Sequence, residues 1–486
     1  MHAAYQNDDK HDQELPFGRL PEEQCEQIHA ASLQILERTG VRLYDQEAID
    51  LIKRGGAEVS DGNRARIPRK LVEWALKSAP TEFNLYDRHH QDPLHLRAGQ
   101  SYYGPGSDCM TIIDHHTNER RLPTRQDVRD GIKLCDALAN IDFVMSMFLP
   151  SDVDYRLTDR YQMLVMLTET TKPILYVTND FKGCVEALAM AELVSGGPEA
   201  FRAKPTAAGY INVTNGLNHN QEALEKLLYL AGKGVPLLYI PSAMGGIAGP
   251  ITPAGSVTLA NAGVLVGLLL SQLKREGTPF IMTAMAGNAL DMRTMVSAYG
   301  QPEPKRLAFA MGHYYDLPMF GIGGCSNSKL VDQQATSEAA LTLMSDTLGG
   351  ATLIHDIGYL ESGLCGSLAY LVICEEMVSW IKKMTAPVEI DPETLSVDLI
   401  DAVGPDGQFL DSEHTFKHFR KRWYPQLFDY RSYDQWQAVG GYSLGDRASQ
   451  AVDRIIGEHR PDPLPDTLID ELQARLDVPE DAPRPI

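Results

Sequence analysis

The chain has 486 residues, of which 43% are apolar and 22% are charged. These fractions are typical of a soluble globular protein and exclude general disorder. The formal charge of −21 repels phosphate backbones and anionic lipid heads, which argues against nucleic-acid binding and a peripheral membrane role.

Cysteine usage and the N-terminal sequence predict a cytoplasmic protein. The seven cysteines form no CxxC pair and no Cys/His cluster at zinc spacing, so we expect neither a disulfide framework nor a bound metal. The N-terminus is polar and lacks the apolar core of a signal peptide. The most apolar stretch, Ala262–Leu270, is too short to cross a bilayer, which predicts a buried helix.

Residues 1–98 predict an N-terminal helical cap. Apolar residues recur at helical spacing in three short stretches, Glu22–Thr39, Gln46–Arg54 and Pro68–Lys77. At the other end of the chain, residues 385–486 are rich in charge and aromatic rings and predict a C-terminal helical extension.

Between these two regions, residues 99–384 alternate short β-branched and aromatic runs with longer amphipathic runs. Such alternation is typical of parallel βαβ units, and eight pairs in this length match an α/β fold of the TIM (β/α)8 barrel class. The predicted strands are Ser101–Ile113, Asp142–Leu149, Pro173–Thr178, Thr206–Val213, Pro236–Pro241, Pro279–Met285, Met319–Gly324 and Thr352–Asp356. The predicted helices are Thr124–Ala139, Thr158–Thr170, Lys182–Ser195, Gln221–Gly232, Ala254–Arg275, Pro304–Tyr314, Asp332–Leu348 and Leu364–Lys383. A doubly wound sheet of seven strands is the alternative.

In a barrel the carboxyl ends of the strands share one face, and ligands bind there. The densest group of reactive side chains follows the eighth predicted strand and contains His355, Asp356, Tyr359 and Glu361. A histidine beside carboxylates can bind a cation, orient a carboxylate or move a proton. The alternative is that His355 and Asp356 only cap the next helix.

Tyrosines near several strands suggest a cationic ligand. Tyr103 and Asp108 belong to the first predicted strand, and Tyr176, Tyr210, Tyr239 and Tyr359 lie on or just past others. Rings that converge with a few acids suit a quaternary ammonium through cation–π attraction. Alternate residues of a strand point away from the lumen, so we expect about half of these rings to be structural.

Four segments are similar to the trimethylamine methyltransferase family, and within it to members without pyrrolysine that act on glycine betaine and related quaternary amines. The segments are Leu353–Gly363, Gly323–Gln334, Ser101–Asp108 and Leu33–Leu43. The resemblance implies a TIM barrel that passes a methyl group to the Co(I) corrinoid of a separate carrier protein. Because every residue here is a standard one, it also implies a quaternary ammonium substrate, whose neutral leaving amine needs no proton.

The methyl transfer that the resemblance implies suggests roles for individual residues. We expect His355 and Asp356 to be catalytic, with His355 as the main polar contact to the substrate. Predicted substrate-binding residues are Tyr103, Asp108, Asn212, Gln334, Tyr359 and Glu361. A broad mouth lined by Gly245, Gly246, Gly323 and Gly324 should admit the corrinoid (cobalamin), which the carrier holds and this chain does not bind tightly. Large helical appendages on a barrel also suit a homo-oligomer.

Two other functions remain open from the sequence. A barrel lyase or isomerase could hold a phosphorylated substrate with Gly321–Gly324 and Lys329, although this turn matches neither a P-loop nor the dinucleotide fingerprint. A non-enzymatic binding module for compatible solutes ranks last, because secreted binding proteins usually carry a signal peptide.

Overall fold

The computed structural model describes residues 17–283 and 289–476. Within these residues, seven regular strands form one parallel sheet. The strands are β1 (Tyr102–Tyr103), β2 (Ile174–Tyr176), β3 (Ala207–Val213), β4 (Leu237–Pro241), β5 (Phe280–Thr283), β6 (Met319–Ile322) and β7 (Leu353–His355). Their order across the sheet is β1-β7-β6-β5-β4-β3-β2.

An irregular segment around Val144 closes this sheet into a ring. The Asp142 N–H donates to the Tyr103 carbonyl of β1 at 2.7 Å. Val144 forms a parallel bridge with Ile174 of β2. The segment therefore joins the two edges of the sheet and fills the eighth position of the barrel. The predicted TIM barrel is confirmed.

The first two predicted strands are wrong in extent. The stretch Asp142–Leu149 is not a continuous strand, because Met147 has a φ of +59° and the Phe148 N–H turns back to the Ser146 carbonyl. The stretch Ser101–Ile113 is interrupted after Tyr103, and its last residues, Thr111–Ile113, belong to a different sheet. The other predicted strands agree with β2 to β7 within two residues at each end, and Ala284 and Met285 of the sixth lie outside the described residues.

The predicted barrel helices are confirmed with small shifts at their ends. They are Arg125–Ala137, Thr158–Glu169, Phe181–Val194, Gln221–Lys233, Pro253–Lys274, Pro302–Tyr315, Gln333–Gly349 and Leu368–Thr385, with a short extra helix at Pro198–Ala203. The last one begins at Leu368 rather than Leu364, because Cys365–Gly366 form a strand and the Ser367 side chain caps the helix by accepting from the Tyr370 N–H.

The helix Pro253–Lys274 is long and apolar enough to cross a membrane by length and composition alone. It is a core helix in this fold, because 78% of its most apolar window is buried. Its Asn261 side chain donates to the Ser32 hydroxyl of the N-terminal region at 2.9 Å. The buried helix predicted from Ala262–Leu270 is confirmed.

The N-terminal region contains short strands between its helices, so it is not the purely helical cap that the sequence predicts. The helices are Glu22–Gln34, Gln46–Arg54 and Arg69–Ser78, and the strands Val41–Leu43, Glu58–Ser60 and Arg64–Arg66 form a small sheet with Asn218–His219. A hairpin of Glu82–Leu85 and Leu94–Arg97 follows.

This hairpin closes one end of the barrel. Its Leu85 and Leu96 are fully buried and pack in one cluster with Leu175, Leu238 and Leu353, which lie near the amino ends of their strands. A ligand site in the lumen must therefore open at the opposite end, where the strands have their carboxyl ends.

Two small sheets surround that open end. One contains Thr111–Ile113, Arg120–Arg121, Tyr359–Leu360 and Cys365–Gly366, and the other contains Leu290–Asp291 and Val296–Ser297. The C-terminal extension is mostly helical, as predicted, with helices at Pro392–Leu395, Val397–Val403, Glu413–His418, Tyr433–Ala438, Leu444–Glu458 and Asp466–Ala474.

Candidate active site

The upper lumen of the barrel has an aromatic floor beneath polar groups. Phe320 of β6 is fully buried, and its ring centroid lies 4.0 Å from that of His355 and 5.4 Å from that of Tyr210. Tyr210 and His355 are themselves 6.2 Å apart. The lining of the lumen therefore changes from apolar side chains to reactive ones toward the carboxyl ends of β3 and β7.

His355 is the last residue of β7 and is 3% exposed. Its Nδ1 lies 2.7 Å from the Gly321 carbonyl oxygen, which can only accept, so Nδ1 carries a proton. Burial lowers the pKa of His355 to about 3, which leaves the imidazole neutral and Nε2 without a proton of its own.

Asp356 faces this bare nitrogen. Its Oδ1 lies 3.2 Å from His355 Nε2. Burial raises the pKa of Asp356 to about 7, and no charged group contributes to that shift. Because two lone pairs repel at this distance, the contact needs a proton, which the Asp356 carboxyl supplies when it is protonated. The pair therefore holds one proton up to about pH 7.

Asp108 supplies a second carboxyl, which is partly buried. Its Oδ1 accepts from Gln162 Nε2 at 2.8 Å and from the Ser146 hydroxyl at 3.3 Å. Burial raises its pKa. The phenol of Tyr210 has a pKa raised by burial and then by the charges of Asp356 and Asp108, so both carboxyls act on the same ring. Among the described residues, neither carboxyl has a lysine or arginine within ion-pair distance.

Backbone strain is concentrated at these residues. Asp108, Met147 and Asp356 have φ values of +59°, +59° and +73°, a region that non-glycine residues rarely adopt. The Tyr359 hydroxyl donates to the Met147 carbonyl at 2.6 Å. Strain of this kind persists where the surrounding structure enforces it and is common in functional sites.

Gly106 makes the close packing of this group possible. A Cβ at this position would lie 2.1 Å from Asp356 Oδ1 and 2.4 Å from the ring of Tyr359. Because glycine has only a hydrogen at this position, the chain after β1 can pass directly against the Asp356 carboxyl.

Of the predicted site residues, the structure brings together His355, Asp356, Asp108 and Tyr359. Tyr359 is 1% exposed and lies behind Asp356, so its ring supports the carboxyl rather than forming an open wall. Asn212 is exposed and lies two residues beyond Tyr210 on the same face of β3, at the open end of the barrel.

Three predicted site residues lie elsewhere. Tyr103 points to the outside of the barrel, where its hydroxyl lies 2.8 Å from Thr347 Oγ1 and its ring packs under Lys382. Glu361 accepts from Arg120 at 2.8 Å on the rim. Gln334 is exposed and donates to Glu338 at 2.9 Å on the surface of its helix.

The four glycines predicted to line the mouth have different positions. A Cβ on Gly323 would lie 2.9 Å from Ile354, and one on Gly324 would lie 3.1 Å from Ile357, so both glycines are packed inside the wall. Gly245 is also buried, and only Gly246 is exposed. Because Gly321–Gly324 are buried, they offer no open surface for the phosphate that the lyase or isomerase alternative requires.

Sequence reasoning missed two residues that hold the site. The sequence did not distinguish Tyr210 from the other tyrosines on or near the strands. Gln162 lies on a helix in which ten successive residues, Thr158 to Leu167, are buried. A glutamine within such a helix must find a hydrogen-bond partner, which is the signal that could have identified it.

A separate cavity of about 570 Å3 lies between the strand Thr111–Ile113 and the helix Leu444–Glu458, and none of the predicted site residues lines it. On its rim His115 and His116 place Nε2 atoms 3.0 and 3.3 Å from Asp453 Oδ1. His116 and Asp453 are exposed.

Comparison with known proteins matches almost the whole chain to one enzyme family. The family model of trimethylamine methyltransferase (MTTB) matches residues 4–478. Trimethylamine methyltransferase MttB of Desulfitobacterium hafniense is 31% identical over 467 residues, which cover 95% of this chain and 93% of the relative. Glycine betaine methyltransferase from another strain of that species is 28% identical over 464 residues, 94% of this chain and 96% of the relative.

A solved structure shows a similar fold. The monomethylamine methyltransferase MtmB of Methanosarcina barkeri matches with a TM-score of 0.50 and 13% identity, over 90% of this chain and 89% of that one. The resemblance found in four segments is confirmed by the family model. The chain therefore belongs to the trimethylamine methyltransferase family, whose members are methyltransferases that methylate a corrinoid protein.

Proposed function

We propose that this protein transfers a methyl group from a small quaternary amine, such as glycine betaine, to the corrinoid of a separate carrier protein. The observation that carries the proposal is a pair of carboxyls, the buried Asp356 and the partly buried Asp108, whose charges both act on the Tyr210 phenol. Two carboxyls without a cationic partner among the described residues favour a cationic ligand, and the ring face adds cation–π attraction.

The chemistry of the leaving group supports a quaternary rather than a tertiary amine. When the methyl carbon leaves a quaternary nitrogen, the electron pair of the broken bond stays on nitrogen and gives a neutral tertiary amine. No residue has to donate a proton in that step. The proton shared by Asp356 and His355 can instead control how much negative charge faces the substrate.

Each residue of the site has a positioning role in this proposal. The corrinoid supplies the Co(I) nucleophile that accepts the methyl group. Asp108 and Asp356 attract the ammonium, and Gln162 fixes Asp108. His355 holds Asp356 against the aromatic floor, so that one methyl group faces the open end beside Asn212. Alignment of the reacting atoms can contribute several kcal/mol, whereas a carboxylate cage that is too strong would stabilise the ground state.

The rim of the barrel offers a surface for the carrier protein. Exposed apolar side chains on loops at the carboxyl ends surround the opening, and they include Met110, Ile247, Ile251, Met292 and Met295. Exposed apolar patches of this kind mark docking sites, and methionine adapts to varied partners. We therefore place the carrier on this rim, which is defined by these five residues.

A charge on the rim is expected to weaken carrier docking. Met295→Glu should raise KM for the carrier by about 10-fold, because an exposed apolar contact becomes an uncompensated charge. Met384→Glu is a matched control, since Met295 and Met384 are 62% and 61% exposed and Met384 ends a helix at the closed side of the barrel. An equal effect of both variants would contradict this placement. Methylation of free cobalamin should be unchanged in both.

The function itself is tested by incubating the protein with reduced cobalamin and a panel of quaternary and tertiary amines. The cobalt absorption spectrum reports methyl transfer directly. We expect transfer from quaternary amines and a strong loss in His355→Ala with the fold intact. Transfer from tertiary amines alone, or unchanged transfer by His355→Ala, would contradict the proposal.

We also propose that the protein is cytoplasmic and holds no cofactor or metal tightly. All seven cysteines are buried and unpaired, as expected in a reducing compartment. A corrinoid that must return to other enzymes for each cycle has to stay on its carrier.

A further inference from the structure

The hairpin turn after the strand Thr111–Ile113 contains two adjacent histidines. The Asp114 side chain accepts from the backbone N–H groups of His116 and Thr117 at 3.0 and 3.1 Å. The Asn118 N–H closes the turn by donating to the Asp114 carbonyl at 2.8 Å. Because these bonds fix the backbone of the turn, both imidazoles project from a well-defined position on the rim of the barrel.

The two imidazoles meet a carboxylate of the helix Leu444–Glu458. The rings of His115 and His116 have centroids 4.1 Å apart. Their Nε2 atoms lie 3.0 and 3.3 Å from the same oxygen, Asp453 Oδ1. The two nitrogens and the oxygen all lie within 4.8 Å of one another. Asp453 follows the fully buried Val452, so the helix that presents the carboxylate is packed in place.

These separations match the ligand shell of a tetrahedral metal ion. Zinc binds imidazole nitrogen and carboxylate oxygen at about 2.0–2.1 Å, so neighbouring ligand atoms around a tetrahedral ion lie about 3.3 Å apart. A carboxylate that only accepts hydrogen bonds from two histidines has two oxygens available. Here both nitrogens converge on one oxygen, which arranges the three atoms around a single point.

The surroundings of these three atoms favour a cation. The cavity of about 570 Å3 beside the histidines is lined by Asp332, Asp446 and Asp453, and no lysine or arginine lines it among the described residues. The cavity has room for a water molecule beside the two imidazoles. Three protein ligands with water in the fourth position are typical of zinc sites that keep one position open.

We propose that His115, His116 and Asp453 form a binding site for a divalent metal ion of the zinc type, with water from the cavity as the fourth ligand. The ion joins the rim of the barrel to the C-terminal extension. His115 and Asp453 are 338 positions apart in the chain, so the sequence shows no zinc spacing. The side chains of His116 and Asp453 are 60% and 51% exposed, so the ion exchanges with solvent and is not held tightly.

Calorimetric titration of the full chain with Zn²⁺, after removal of metal with a chelator, tests this inference. We expect one ion per chain at the tightest site. His116→Ala and Asp453→Ala should each weaken binding at least about 10-fold, because each removes a ligand. The control His95→Ala should keep the wild-type affinity, since His95 Nε2 lies 3.2 Å from Glu82 in a pair that has only one histidine. Zn²⁺ should also raise the midpoint of thermal unfolding more in the wild type and the control than in the two ligand variants.

Titration of the wild type with Co²⁺ gives a measurement that does not depend on the variants folding. Tetrahedral Co²⁺ absorbs visible light much more strongly than octahedral Co²⁺. We expect a strong visible band that Zn²⁺ abolishes by displacement. A spectrum of the octahedral type would overturn the inference. Absence of Zn²⁺ binding, unchanged affinity in either ligand variant, or an equal loss in His95→Ala would do so as well.

Discussion

Asp356→Asn is expected to lower kcat/KM for a quaternary amine about 300-fold. A carboxylate about 5 Å from an ammonium contributes about 3 kcal/mol at an effective dielectric constant of about 20. Asparagine keeps the size of the side chain and the left-handed backbone of this position but removes the charge. Initial rates of cobalamin methylation measure the effect. The control Asp92→Asn removes an exposed carboxylate and should leave these rates unchanged.

The pH dependence of binding gives a second readout of the same variant. Since the pKa of Asp356 is about 7, its carboxylate forms as the pH rises through that value. Affinity of the wild type for the cationic substrate should therefore increase between about pH 6 and 8. Asp356→Asn should show no such increase. A wild type whose affinity is constant over this range would contradict the role assigned to Asp356.

The loss of stability in Asp356→Asn should grow as the pH falls, whereas its loss of affinity should grow as the pH rises. Folding raises the pKa of Asp356 and lowers that of His355, so between about pH 4 and 6.5 the wild-type pair holds one proton in both the folded and the unfolded chain. In Asp356→Asn only the unfolded His355 binds a proton there. The free energy of unfolding of the variant, relative to wild type, should fall by about 1.4 kcal/mol per pH unit below about pH 6.5.

Gly106→Ala is expected to lower the methylation rate about 100-fold and the free energy of unfolding by about 2 kcal/mol. The added methyl group would overlap Asp356 Oδ1 and the Tyr359 ring, so the carboxyl must move. A displacement of 1 Å can cost a catalytic site about 100-fold in rate. Cobalamin methylation and chemical denaturation measure the two effects.

Gly457→Ala is the matched control for this change. Gly457 lies in the helix Leu444–Glu458, and a Cβ there would meet nothing within 4 Å. Alanine should stabilise that helix by about 0.5–1 kcal/mol and leave the rate unchanged. If Gly106→Ala retained the wild-type rate, close packing against Asp356 would not be required for transfer.

The barrel could be predicted from sequence because its strands and helices alternate with regular lengths. The irregular segment Asp142–Leu149 could not, since its apolar and aromatic residues are those of a strand. The positive φ of Met147 is imposed by contacts from distant parts of the chain, such as the hydrogen bond from Tyr359. Local composition contains no sign of it.

The candidate site could likewise be predicted from sequence only in part. His355 and Asp356 could be identified because polar residues directly follow an apolar strand. The direction of Tyr103 could not, because a parallel strand buried on both faces has no alternation to mark the lumen. The same ambiguity hid the role of Tyr210. The contact between Gln162 and Asp108 joins residues 54 positions apart and depends on the tertiary fold alone.

The hairpin that seals the amino ends of the strands has a kinetic consequence. In the part of the chain that the structure describes, the lumen is closed at this end, so the proposed amine, the cobalt and the demethylated product would all use the entrance at the carboxyl ends of the strands. The steps of each turnover should then follow a fixed order. The amine has to enter before the carrier arrives, and the product is trapped until the carrier departs. Excess carrier should therefore inhibit the reaction by occupying the empty enzyme first.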